Sequence, residues 1–111
     1  MKYLMLVAAD PDRPAEPDLT GTLPVEEWVE KNDAAGKRII GQRLRPADTA
    51  TVVKRRDGRV HVTDGPFSES HEWIAGFDVL DCEDLDEAIA IAASHPVAAT
   101  GRLELRPFWE E

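Results

Sequence analysis

Trp73-Ile74-Ala75-Gly76-Phe77-Asp78-Val79-Leu80-Asp81, followed by Asp84-Leu85-Asp86-Glu87 and Ala88-Ile89-Ala90-Ile91-Ala92, decides the fold. The first nine residues alternate and are rich in aromatic and aliphatic side chains, which predicts a strand. Trp73, Ala75, Phe77 and Val79 take one face of it, and Ile74, Gly76, Asp78 and Leu80 take the other. Asp84-x-x-Glu87 has the form of a capping box, with Asp where Ser or Thr is usual, and predicts a helix start. Leu85, Ala88, Ile89 and Ala92 would make its apolar face, and Pro96 would stop it. Leu103 and Leu105 then alternate with Arg102, Glu104 and Arg106 in a last strand that ends at, or lies on an edge because of, Pro107.

The N-terminal half has the same order. Tyr3 to Ala9 is nearly all apolar and predicts a central strand buried on both faces. Residues 10–24 contain Pro11, Pro14, Pro17, Gly21 and Pro24, which predicts an irregular loop of unusual length. Helix 1 is predicted from Pro24 to about Ala35, with Glu26 and Glu27 in its first turn and Gly36 past its end. Val25, Trp28, Val29 and Asn32 share one face of it. Ile39 to Leu44 predicts a further strand. Thr51–Arg56 and Arg59–Thr63 flank Asp57-Gly58, the strongest short hairpin signal, which pairs Arg56 with Arg59, Lys54 with His61 and Val52 with Thr63. The order strand, helix, strands, strand, helix, strand predicts an α+β ferredoxin-like sandwich with an antiparallel sheet and two helices on one face. The sheet face left uncovered calls for a partner, so a homodimer packed sheet to sheet is expected.

Composition bounds the rest. The 111 residues form a single expected domain spanning 1–111. One cysteine, Cys82, excludes an internal disulfide and a multi-Cys zinc site. No apolar run approaches the roughly 20 residues that cross a bilayer, so no membrane span is expected. Met1–Ala9 lacks the Ala-x-Ala end of a signal peptide and reads as the first strand of a cytoplasmic protein. The net charge is −9, yet residues 37–59 carry eight cations and two carboxylates. That segment reads as an anion site, a solvated face, or a patch that meets an acidic face of a second subunit. An acidic chain repels a polyanion, so nucleic-acid binding is not expected.

The residues that could carry chemistry are few. Asp64-Gly65-Pro66-Phe67 reads as a turn leaving the hairpin, or as a loop that presents Asp64 as a base. Glu69 and Glu72 share a face if their segment is helical, and paired carboxylates either do acid–base work or lie in solvent. His71 lies between carboxylates, and His61 lies among cations. His95, at the end of helix 2, reads as a residue bonding the last carbonyls or as an acid–base group. Asp78 in mid-strand needs a partner if buried, and Arg106 or Arg102 is the expected one. Aromatic residues such as Phe67 and Trp73 could line a ligand pocket or belong to the core or a dimer interface. No phosphate loop or metal-ligand motif is present, and no cofactor is expected.

Asp57-Gly58-Arg59, Thr63-Asp64-Gly65-Pro66-Phe67, Glu69, Glu72, Gly76-Phe77, Leu85-Asp86-Glu87-Ala88 and Glu104-x-Arg106-Pro107 together resemble the YCII-related family, and within it the subgroup named for the Asp-Gly-Pro-Phe motif. The resemblance implies a ferredoxin-like protomer that pairs into a dimeric α/β barrel. Most of that subgroup has no assigned reaction, and its genes often lie beside those of extracytoplasmic-function sigma factors. More distant relatives include lyases and isomerases of chlorinated or hydroxylated rings, proposed to use a histidine with an aspartate. Their histidine lies before or within helix 1, where residues 10–36 here contain none. Three readings follow. In a cofactor-free lyase or isomerase acting on a small carbonyl or aromatic acid, Asp64 or His95 is the base, Glu69 or Glu72 the acid and Arg106 the carboxylate clamp. In a non-catalytic module, the chain holds a small molecule, with Phe67 and Trp73 among the contacts, or a protein partner. In the third reading the motif fixes only the hairpin exit and the dimer seam.

Overall fold

The computed structural model describes residues 1–65 and 73–110. Among the described residues six strands and three α-helices follow one another as β1 (Lys2–Ala9), α1 (Val25–Ala34), β2 (Arg38–Arg43), β3 (Thr51–Arg56), β4 (Arg59–Asp64), β5 (Ile74–Asp81), α2 (Leu85–Ala93), α3 (Val97–Thr100) and β6 (Gly101–Pro107), with a 3-10 turn at Ala47–Thr49. Four strands form an antiparallel sheet in the order β2-β5-β1-β6, and β3 and β4 form a separate ribbon. The four-stranded order is that of a ferredoxin-like α+β sandwich, with the ribbon inserted between its second and third strands.

Alternation in β1 divides the sheet. Tyr3 and Met5 are buried against Trp28 of α1, Ala88 and Ala92 of α2, and Leu80 of β5, while Val7, Leu103 and Leu105 pack at the margin of this core. The Trp28 indole N–H donates to Ile91 O at 2.9 Å and ties α1 to α2. Leu4, Leu6, Phe77 and Val79 alternate to the other face and are half-buried. β1 is therefore covered on one face only in this protomer, not on both.

The helix ends follow the sequence. Asp84 caps α2 by accepting from Glu87 N–H at 2.9 Å, and the Glu87 carboxylate accepts from Glu83 N–H at 3.1 Å. Gly36, at φ +72°, turns the chain out of α1. The apolar face expected of α2 is rotated. Ala88 and Ala92 are buried with Ile91 beside them, whereas Leu85 and Ile89 are 49% and 50% exposed. The short α3 after Pro96 was not visible as a separate element, because four residues carry no periodicity.

The hairpin takes the register set by its turn. Asp57 and Gly58 both have positive φ, and Arg56 pairs with Arg59, Lys54 with His61 and Val52 with Thr63. Gly65, at φ +97°, closes the base by donating to Ala50 O at 2.8 Å. Among the described residues no helix is long and apolar enough to cross a membrane.

Candidate functional site

The helix-covered side of β2 and β5 does not close completely. A cavity of about 550 Å³ opens there, walled by Val7, Val25, Trp28, Val29 and Val97. Arg38, Asp78 and His95 bring polar groups to it, and the exposed Gln42 and Arg43 of β2 also line it.

Asp78 reaches this place because β5 alternates, which turns its side chain with Gly76 and Leu80 toward the helices. Its side chain is 8% exposed, and its Oδ1 accepts from Arg38 Nε at 2.7 Å. Arg38 also reaches Asp33 of α1, at 3.1 Å. The partner of Asp78 is thus Arg38, and not Arg102 or Arg106. The sheet order explains the correction: β1 separates β5 from β6, whereas β2 is hydrogen-bonded to β5. Gly41 lies directly across from Asp78, and a Cβ there would overlap Asp78 Oδ1 and Arg38 Nη2. The glycine leaves the room that the ion pair occupies.

Burial pushes the Asp78 carboxyl above its ordinary range, and the hydrogen bond from Arg38 works against that rise. Burial disfavours the Arg38 charge, but its hydrogen bonds to Asp78 and Asp33 outweigh this and hold the guanidinium above its ordinary value. Two carboxylates around one guanidinium leave the cluster net anionic.

His95 is 4% exposed and meets Trp28 edge-on, with ring centroids 4.8 Å apart. Its Nδ1 accepts from Val97 N–H at 3.0 Å, so the neutral ring carries its hydrogen on Nε2. The ring therefore accepts from the next turn and does not donate to the last carbonyls of α2. Burial lowers its pKa and favours that neutral form. Among the described residues no acceptor meets the Nε2–H, and every fully buried side-chain polar atom has a partner, so Nε2 opens on accessible space in the residue that lines the cavity.

The residues singled out from sequence separate. His95 lies at the cavity. Asp64 is exposed at the end of β4, at the base of the ribbon. Arg106 stands across from Leu4, on the uncovered sheet face, with its side chain 70% exposed and Glu104 at 3.6 Å. Trp73 is half-buried just before β5 and is not among the residues that line the cavity. Phe67, Glu69, Glu72 and His71 lie outside the described residues. Trp28, one of the aromatic residues that could line a pocket, does line the cavity; Arg38, read only as part of the basic segment 37–59, and Gly41, not read as a site residue, belong to it as well. Among the described residues no group of three His, Cys, Asp or Glu side chains is placed to hold a metal ion.

The sheet order and the one-sided helices define an α+β protein of ferredoxin-like topology with a cleft beneath its helices. The chain matches the YCII-related domain over residues 1–111 and belongs to that family. An uncharacterized protein of Rhizobium meliloti (strain 1021) is 40% identical over 75 residues, which are 66% of this chain and 60% of that protein. The chain thus spans about 60% of the length of that relative. Among solved structures, the 5-chloro-2-hydroxyhydroquinone dehydrochlorinase of Burkholderia phenoliruptrix AC1100, in complex with 2,5-dihydroxybenzoquinone, covers 100% of this chain and 96% of its own, at 11% identity and a TM-score of 0.43.

Proposed function

We propose that the cavity beneath α1 and the α2–α3 connection binds a small, largely apolar organic molecule bearing a hydrogen-bond acceptor. The observation that carries this reading is the convergence of a neutral histidine and a buried ion pair on a cavity of about 550 Å³ with aliphatic and indole walls. Apolar walls supply affinity by removing ligand surface from water, and a few fixed polar groups supply orientation. His95 Nε2–H donates to the ligand's acceptor.

The test is a panel of small phenols, benzoates and cyclic ketones. Binding is read from the Trp28 indole and Val97 amide resonances and from thermal stabilisation. Members that bind shift both resonances in the native chain and lose affinity in His95→Phe. A panel that leaves both resonances unmoved overturns the reading.

Turnover is a second reading, favoured by the neutral His95 facing the cavity. A lyase or isomerase would use it as the proton carrier, with Glu69 or Glu72 as the candidate acid and Phe67 as a candidate contact; Asp64, Trp73 and Arg106 do not line this cavity and would serve a separate site. Product formation from a panel member that binds separates turnover from simple binding. The Asp-Gly-Pro-Phe sequence at residues 64–67 supports placing the chain in the subgroup of that name. A cytoplasmic setting goes with one buried free thiol, Cys82. The half-buried Leu4, Leu6 and Val79, with Ile40 56% exposed, support a homodimer packed sheet to sheet as a dimeric α/β barrel. Sedimentation at micromolar concentration is expected to show at least a dimer, and Leu4→Glu with Leu6→Glu a smaller assembly. A native monomer overturns that pairing.

A further inference from the structure

We propose that the β3–β4 ribbon is an arm that docks on the outer face of α2 in a second copy of this chain. The ribbon packs on itself and makes only marginal contact with the sheet and helices. Every residue of β4 is exposed, and Val53, Val60 and Val62 are 65%, 53% and 63% exposed. A two-stranded ribbon alone in water is marginal, and β-branched residues facing solvent give it nothing to pack against. The radius of gyration, 16.0 Å, exceeds the roughly 13 Å of a compact chain of this length, as a projecting arm requires.

Val53 and Val62 pair across the ribbon, and Arg55 and Val60 pair next to them on the same face. Lys54, Arg55, Arg56 and Arg59 form no ion pair with a carboxylate among the described residues. The arm is therefore an apolar strip fringed by cations that have no carboxylate partner among the described residues.

The outer face of α2 has the opposite character. Leu85 and Ile89 are half-exposed and four residues apart. Five carboxylates occupy positions 81–87, with no cation among them. Three are engaged within the chain: Asp81 faces the N-terminal ammonium, Asp84 caps α2 and Glu87 pairs with Lys37. Glu83 and Asp86 are left exposed beside the apolar pair. The spacings agree as well. Residues two apart on a strand lie about 7 Å apart and residues four apart on a helix about 6 Å, so Val60 and Val62 match Leu85 and Ile89. Each copy carries both surfaces, so a two-fold pair makes the contact twice. The carboxylates at 81–87 give a second copy the local charge opposite to the arm, whereas a nucleic acid meets the net charge of −9 and offers no apolar pair.

The test uses full-length chains in a Cys82→Ala background. Val62→Cys in one copy and Ile89→Cys in another are mixed with a short bis-maleimide. The mixture is expected to give a linked heterodimer. Reversing the arm with Arg55→Glu and Arg59→Glu lowers its yield at least tenfold, and Glu83→Lys with Asp86→Lys in the α2 copy restores it. No linked product, or a yield indifferent to charge reversal, overturns the proposal. So does retention of a DNA duplex by the arm without any copy-to-copy product. The sheet-face pairing is read from Leu4 and Leu6, so failure of either interface is seen separately.

Discussion

Replacing Arg38 with Met tests the physical account of the cleft most directly. The side chain keeps much of its length and loses its charge. Asp78, 8% exposed in its side chain, then has no cation at 2.7 Å. Breaking a buried pair by removing one member costs about 3–5 kcal/mol, because a charge is left in a poor solvent. Protonation sets a ceiling on that cost. Carrying a proton on a carboxyl whose unfolded pKa is about 3.9 costs about 1.4 kcal/mol for each pH unit above that value. The ceiling is about 4 kcal/mol at pH 7 and about 1.5 kcal/mol at pH 5.

For a chain of this size the pH 7 loss corresponds to a melting temperature lower by roughly 12–25 °C. The raised pKa of Asp78 gives the sign. Between pH 3.9 and the folded value, the native state holds more protons than the unfolded state, so its stability falls as pH rises. Removing Arg38 raises the folded value further and widens that window. Urea denaturation of Arg38→Met and the native chain at pH 5 and pH 7 measures the difference. The loss should be larger at pH 7 by about 2–3 kcal/mol. Arg38→Met combined with Asp78→Asn should be nearly flat across the same range. An equal loss at both pH values, or one below about 1 kcal/mol at pH 7, refutes the assignment of Asp78 as a buried charge held by Arg38.

Three further outcomes are expected. The His95 ring should titrate below its usual value, with hydrogen on Nε2 when neutral, as read from two-dimensional proton–nitrogen spectra. Its stability contribution is present above about pH 6.5 and is lost as pH falls through the folded pKa; an Nδ1–H tautomer contradicts the bond to Val97. Gly41→Ala should destabilise by about 1–3 kcal/mol in thermal melts, as overpacking does, and should weaken any ligand that native cleft binds. Asp84→Ala should lose about 1 kcal/mol in urea denaturation, and Asp84→Ser should keep most of it, since either oxygen can accept from Glu87 N–H.

Local signals in the sequence carried the elements that local chemistry governs. Asp57-Gly58 sets the ribbon register, since only that turn accommodates positive φ at both positions. Asp84 and Glu87 mark the start of α2. Alternation in β5 placed Asp78 on one face with Gly76 and Leu80, which is the face the helices cover. The failures all involve distant surroundings. Between Leu85 and Ala93 only Asp86 and Glu87 are polar, so periodicity could not select which apolar side faces the sheet. Asp78 announced a need for a cation, but its partner depends on which strand is its neighbour, and that is a property of the sheet order. Gly41 matters only because it stands opposite Asp78, a relation no window along the chain contains. His95 looked like a helix-end residue, and its use as an acceptor for Val97 appears only once α3 is present.

The cleft combines features that stability alone would not select. A buried ion pair is often no better than well-packed apolar residues of the same volume. Here it also requires a glycine at position 41, in a strand interior that would otherwise gain from a side chain. A buried neutral histidine against Trp28 uses Nδ1 to accept from Val97 N–H, but its Nε2–H has no such structural partner among the described residues. Each of these choices holds a polar group in place beside open volume where a larger apolar side chain could have filled it. Their coincidence on one cavity is what distinguishes a site from an imperfectly packed core. The distinction is measurable: His95→Phe removes the donor and leaves Val97 N–H unpaired, so it should abolish donor-dependent binding at a cost of about 1–3 kcal/mol, whereas Gly41→Ala keeps the donor and should reduce stability and binding together.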